Sequence, residues 1–296
     1  MTGASAIDGK MRGRGIALAA ISATGFSTLG LFAKLVYSQG FSVVETLAWR
    51  FTFATVILWI VVLAGRRPLP KPLWPVLLLG LLGFSPQAGL YFLTLRYLDP
   101  GITSLLLYTY PSFVLIFCFI LWRRKPSRVQ LLALFLSLSG CVVAFWKRGN
   151  YPLVGLILGL AVGFSYAAYL VAGEKVLAGV DSIAATALVM LMAAVVYWVA
   201  AFIQGSPRVP STPAVLAGLV GLAIVATVIP ITTLFSSMRH IGAADASLVS
   251  TLEPVLTVAL SSLIIGERLG PAQLAGGALI LAAVVMLGIV ERRSHG

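Results

Sequence analysis

Acidic residues, cysteine and histidine are all scarce in this sequence. Its 296 residues include 9 Asp and Glu, 2 Cys and 2 His. Each shortage removes a class of chemistry. Cys118 and Cys141 both lie inside apolar runs, where small cysteines serve as packing residues rather than as a disulfide frame. With so few His and Cys, no metal-ligand spacing exists and none is expected to be filled. There is no Walker-type phosphate loop and no nucleophile with a base at usable spacing, so no cofactor, ATP hydrolysis or enzyme chemistry is expected. Charge is low as well, at 10% of residues, where soluble domains carry roughly 25%. What is present is apolar surface: 59% of the residues are hydrophobic and the mean hydropathy is +1.02. A chain of this size cannot hide that surface from water, so its solvent must be mostly lipid. The net charge of +12 does not indicate a nucleic-acid partner. The basic residues form short clusters between apolar runs, as in membrane loops.

Ten apolar stretches follow one another, at 15–37, 43–64, 73–95, 101–122, 128–146, 153–174, 182–203, 213–237, 243–265 and 271–290. Each approaches the ~20 residues a helix needs to cross the hydrocarbon core. The breaks between them carry Pro, Gly and charge, as in Gly65-Arg-Arg-Pro-Leu-Pro-Lys71 and Arg123-Arg-Lys-Pro126. The first stretch is too long for a signal-peptide core and reads as a retained span. Ten spans put both termini on one side. That side holds 14 of the Lys and Arg and the other side 6, with Arg50 inside a span. The positive-inside bias then places both termini in the cytoplasm.

The two halves of the chain echo each other. At a constant offset of 143, and without a gap, Arg96 falls on Arg239, Ser104 on Ser247, Leu105 on Leu248, Pro111 on Pro254, Gln130 on Gln273 and Leu131 on Leu274. Five spans per copy is an odd number, so the second copy must enter the membrane from the opposite face. The expected fold is therefore all-α, ten transmembrane helices as two inverted five-helix repeats around a central cavity. Its parts are a tail at 1–14, repeats at 15–147 and 148–290, and a tail at 291–296. Inverted repeats are characteristic of secondary transporters, in which two similar units rock about one site.

Proline in the fourth span, a charged turn and Gln-Leu opening the fifth recur in both copies. The second copy reads Leu252-Glu-Pro254, Gly266-Glu-Arg-Leu269 and Gln273-Leu-Ala-Gly276. This pattern resembles the EamA-type proteins of the drug/metabolite transporter superfamily. The tyrosine-rich first half is similar to the bacterial exporters of aromatic and neutral amino acids in that family. The first copy departs from the pattern, with Arg124 against Glu267, Leu132-Ala133 against Ala275-Gly276, and Tyr110 against Glu253. The resemblance implies a secondary exporter of amino acids in the bacterial inner membrane. Drugs, nucleosides or other metabolites are the alternative cargo, and a scaffold or intramembrane enzyme the alternative class.

Candidate site residues follow from what is costly in lipid. Glu253 sits mid-span beside Pro254, and a carboxylate there costs several kcal/mol unless paired, hydrated or protonated. It is either a proton or ammonium site or a structural group at a proline kink. Ser247, Ser250, Thr251 and Pro254 share one helix face, with Ser104, Tyr108 and Pro111 as its counterpart. Tyr110 occupies the position matching Glu253. In the third span Gln87 and Tyr91 share a face just after Pro86. In the eighth, Pro230 precedes Thr232 and Thr233. Both helices are expected to be interrupted, which would free backbone groups for a zwitterion. Tyr166 and Tyr169 lie mid-span, away from the interfacial belts where tyrosine usually sits. Against these cavity readings stand plain small-residue packing and tyrosines bonded to neighbouring helices. Lys34, Glu174, Lys175 and the deeper Arg50 read as anchors, with their heads reaching toward the surface.

Overall fold

The computed structural model describes residues 2–94, 97–98, 103, 106–145, 151–205, 207–265 and 270–293. Among them the chain is helical, without strands. In order the helices are α1 (Thr2–Ser27), α2 (Leu29–Tyr37), α3 (Val43–Ala64), α4 (Trp74–Leu78), α5 (Ser85–Thr94), α6 (Tyr110–Trp122) and α7 (Arg128–Phe145). The second half of the chain gives α8 (Leu153–Val176), α9 (Ser182–Gln204), α10 (Pro213–Ala223), α11 (Ile229–Ser250), α12 (Leu252–Ile265) and α13 (Pro271–Arg293). Two π-helical stretches, Leu79–Phe84 and Ile224–Val228, join α4 to α5 and α10 to α11. Six helical segments among the described residues are long and apolar enough to cross a membrane, and three shorter apolar helices accompany them. Of the residues named above, Arg96, Ser104, Leu105 and Gly266 to Leu269 lie outside the described set, as do the side chains of Lys34 and Gln273.

Helix is the default here because lipid offers no hydrogen bonds to a bare backbone. Local signals set the ends. Ser42 and Glu45 form a reciprocal capping box at the start of α3. Ser127 and Gln130 do the same for α7, through Ser127 N to Gln130 Oε1 at 2.9 Å and Gln130 N to Ser127 Oγ at 3.1 Å. Asp181 caps α9, accepting from the amides of Ile183 and Ala184. The outer surface keeps its large apolar side chains uncovered, with Ile203 80%, Leu63 69% and Phe202 67% exposed. Such a surface is stable only against lipid, and the chain is an integral membrane protein.

The main helix pairings join early to late segments of the chain. Helix α1 lies along α11, α3 along α9, α7 along α13 and α2 along α10, while α5 and α6 meet α8. Small residues allow the closest of these approaches. A Cβ on Gly140 would stand 2.6 Å from the Gly276 carbonyl oxygen, which is backbone and cannot move aside. Gly140→Val is therefore expected to separate α7 from α13 and to destabilise the protein by about 1–3 kcal/mol. Thermal unfolding in detergent checks this, against a Gly13→Ala control, where a Cβ meets nothing within 4 Å.

The interruptions fall in different places from those expected. Around Pro86 and Pro230 the helices do not unwind; the hydrogen-bond ladder widens by one residue just before each proline. Hydroxyls supply the extra bonds: Ser85 Oγ donates to Gly80 O at 2.8 Å and Thr227 Oγ1 to Leu222 O at 2.6 Å. The true breaks lie just before α6 and between α11 and α12, as turns at Tyr108-Thr109 and at Thr251. Tyr108 and Thr251 are 143 apart, on the duplication register. In each case a new helix starts with proline in its first turn, Pro111 in α6 and Pro254 in α12, where its missing N–H costs least. A further kink at Gly242, with φ 74° and ψ 171°, divides α11. That conformation favours glycine.

Candidate functional site

The two broken helices meet at the middle of the molecule. Tyr110, at the start of α6, donates its hydroxyl to the carbonyl of Ser247 at 3.1 Å. Tyr108 lies in the break itself, with its hydroxyl in hydrogen-bonding reach of the Glu253 carboxylate. Glu253 occupies the first turn of α12, where the helix dipole favours a negative charge. It is surrounded by protein yet only half-buried toward solvent, as a group lining an internal cavity would be. Tyr110 and Tyr166 meet edge-on with ring centroids 4.7 Å apart, and Tyr166 stacks on Tyr169 at 6.1 Å. The Tyr169 hydroxyl is buried without a partner among the described residues. An unpaired buried hydroxyl is costly, so this one points to water or a ligand.

Other sequence candidates fall around this cluster. Ser250 turns its hydroxyl back to Ala246 O at 2.8 Å. Thr251 is fully buried and bonds Leu248 O, with Ser137 of α7 at 3.3 Å. It joins two helices rather than facing the tyrosines. Tyr91 is in electrostatic reach of Tyr108 on one side and of Tyr37 on the other. Gln87, one turn earlier, is half-buried and has no hydrogen bond to a described residue. Pro230 is buried, and a Cβ on Gly25 of α1 would lie 2.4 Å from its ring. Pro86 faces outward.

An aromatic column leads away from the cluster. Tyr169 contacts Phe84 at 5.7 Å, Phe84 contacts Phe51 at 5.4 Å, and Phe51 contacts Tyr197 at 5.5 Å. At its far end each π-helical stretch is clamped by a side chain from the other half of the chain. Arg50 of α3 donates from Nε to Thr227 Oγ1 at 2.6 Å and from Nη2 to Ala226 O at 3.0 Å. Ala226 precedes Pro230 by four residues, so its carbonyl lacks the usual helical donor. Tyr197 of α9 donates to Ser85 O at 3.0 Å, beside Pro86. Arg50 is thus not an anchor reaching for the surface. It is only 5% exposed, because its head is committed to the π turn. Glu45 does not pair with it and instead accepts from the amides of Ser42 and Arg208.

Ionic contacts gather at one end of the bundle, around the loops at 65–73, 123–127 and 177–181. Asp245 is held by Arg12 Nη2 at 2.5 Å and by Gln130 Nε2 at 2.7 Å. Arg124 pairs with Glu174, whose other oxygen accepts from Ala243 N at 2.7 Å beside the Gly242 kink. Arg67 pairs with Asp181 at 3.0 Å. Every one of these pairs joins the first half of the chain to the second. A cavity of about 360 Å³ lies among them, lined by Cys118, Arg124, Gln130, Gly242 and Asp245. Glu174 is therefore a cross-link rather than a free anchor. Asp245 and Asp181 carried no expectation from sequence. Their signals were slight: Asp181 precedes the apolar run of α9 as a cap does, and Asp245 is one of few acids near a span.

Comparison with known proteins agrees with this architecture. The EamA-like transporter family matches twice, over residues 13–146 and 153–289. An uncharacterized transporter of Bacillus subtilis (strain 168), YcbK, is 28% identical over 270 residues, covering 85% of each chain. An uncharacterized transporter of Synechocystis, sll1319, is 24% identical, covering 92% of each. One solved crystal structure shares the fold, with a TM-score of 0.81 at 21% identity over 95% of this chain and 99% of the other. With the family pattern spanning nearly its whole length, the chain belongs to the EamA-like transporter family.

Proposed function

We infer that the protein is a secondary exporter of amino acids, with aromatic and other neutral ones among its cargo. In this reading it works by alternating access in the bacterial inner membrane. The repeats at 15–147 and 148–290 are inverted five-helix units, and the tails at 1–14 and 291–296 are cytoplasmic. The observation that carries the reading is the meeting of two helix breaks, Tyr108 and Thr251, at one register of the duplication, with Glu253 and a run of tyrosines at the junction. Broken helices at the centre of inverted repeats are where transporters hold substrates. The pairing of α3 with α9 and of α7 with α13 supports the symmetry, since equivalent spans meet each other. Tyr166 and Tyr169 offer aromatic faces to a large neutral side chain, and Glu253 offers a charge to its ammonium or a place for a coupled proton. The ion pairs from Arg12, Arg67 and Arg124 form the cytoplasmic latch between the halves, which must part for loading from inside.

The test is efflux from proteoliposomes loaded with labelled phenylalanine, threonine and a cationic dye. Protein-dependent release of both amino acids is expected. Release of the dye alone would assign the protein to drug export.

A further inference from the structure

Arg50 carries a charge that its structural task does not require. The task is to supply donors to Thr227 and to the orphan carbonyl of Ala226. In the other half a neutral hydroxyl serves the matching π turn, through Tyr197 and Ser85. A buried cation without a counter-ion costs several kcal/mol. The Phe51 ring, 5.1 Å from Arg50 Cζ, returns only part of that. Among the described residues no carboxylate pairs with Arg50, and Nη1 makes no hydrogen bond. The titratable groups in electrostatic reach are the tyrosines Tyr37 and Tyr197. The Tyr37 hydroxyl, at the end of α2, is itself buried and has no partner among the described residues. Tyr37 packs against the apolar cluster that contains Ala226, the residue whose carbonyl Arg50 holds, so a guanidinium edge and a phenol hydroxyl share one region with no acceptor for their hydrogens among the described residues.

We propose that Arg50 and Tyr37 form a carboxylate-binding subsite, separate from the Glu253 cluster and joined to it by the aromatic column through Phe51, Phe84 and Tyr169. Its ligand class is a small monocarboxylate, and in the transport cycle it takes the carboxylate of the substrate. That last step rests on the amino acid export reading; the subsite itself does not. The rings of Phe51, Phe84 and Tyr169 stand between Arg50 and the Glu253 cluster, so the two groups act at successive positions of the substrate. Guanidinium suits the role because its planar edge matches a carboxylate.

The test uses purified full-length protein in detergent, with labelled 3-phenylpropionate and 2-phenylethylamine as probes, one carrying only the carboxylate and one only the amine. Wild type is expected to bind the carboxylate. Arg50→Gln keeps a donor for Ala226 and should weaken carboxylate binding by about 30-fold or more, with amine binding unchanged. Tyr37→Phe leaves the π turn untouched and should weaken carboxylate binding about three- to tenfold. The proposal is overturned if wild type binds no carboxylate, or if both variants bind it as wild type does. It is also overturned if Tyr37→Phe is neutral and Arg50→Gln weakens both probes equally. Efflux from proteoliposomes separates the two readings. Arg50-dependent carboxylate binding without amino acid efflux would sink the export reading and keep the subsite. Efflux insensitive to Arg50→Gln, with no carboxylate binding, would do the reverse.

Discussion

Glu253→Gln is expected to flatten the pH dependence of net efflux while leaving substrate exchange intact. Glu253 is the acidic residue of α12 and stands in its first turn, beside the break at Thr251 and within reach of the Tyr108 hydroxyl. An ionised carboxylate in a closed bundle costs several kcal/mol, and each 1.4 kcal/mol is a factor of ten in population. An empty carrier that must return through the closed state therefore does so with Glu253 protonated. Glutamine has the same shape, stays neutral and cannot carry the proton. Net efflux by the variant should therefore hold one value across the pH series, while wild-type net efflux falls about tenfold or more where Glu253 of the empty carrier is ionised. Exchange needs no return of the empty carrier and should persist. The measurement is paired efflux and exchange in proteoliposomes across a pH series. If Glu253→Gln keeps the wild-type pH profile, the carboxyl serves the proline kink at Pro254 and coupling lies elsewhere.

Asp245→Asn is expected to open the latch. Of the three ion pairs between the halves among the described residues, this one has the least exposed acid, with 7% of the Asp245 side chain accessible against 29% for Arg12. Arg124 is 61% exposed in its pair with Glu174, so that pair is worth at most about 1 kcal/mol. Breaking a buried pair costs about 3–5 kcal/mol, and the half-open position of Arg12 reduces this to about 1–2 kcal/mol. The balance between closed and open cytoplasmic ends should shift about five- to thirtyfold. The protein carries its own reporter, because Cys118 is 3% exposed and lines the cavity beside Asp245. With Cys141→Ala in both proteins, the rate of maleimide alkylation at Cys118 should rise by that factor in Asp245→Asn. An unchanged rate would mean that Asp245 bears no part of the closure.

Apolar helices were legible in the sequence because lipid forces long apolar runs, six of them long enough to cross a membrane among the described residues, and the echo between the halves was legible because the offset of 143 is free of gaps. Proline marked the irregular helices, but its local chemistry did not reveal which irregularity each would take. Ser85 and Thr227 have hydroxyls placed to bridge back five residues, so the helices at Pro86 and Pro230 widen and continue. Thr109 instead turns its hydroxyl back three residues, to Leu106 O at 2.6 Å, and there the helix breaks. The tyrosines were legible as mid-span phenols in need of partners. The partners were not, since Tyr110 reaches Ser247 across 137 residues. Arg50 illustrates the same limit: from sequence it resembled the anchors near span ends, and only the proximity of Ala226, 176 residues on, gives it a place inside. Asp245 was invisible for a like reason, since Arg12 and Gln130 converge on it from distant segments.

Counterflow tests the central claim, that the two halves form a carrier working without an energy source of its own. Proteoliposomes are filled with excess unlabelled phenylalanine and diluted into a trace of labelled phenylalanine, with no nucleotide and no ion gradient. A carrier that alternates between two sides should draw label inward to a transient excess over equilibrium before it decays. Label that only rises to equilibrium, or that enters no faster than in empty liposomes for phenylalanine and threonine alike, would contradict alternating amino acid transport by this protein.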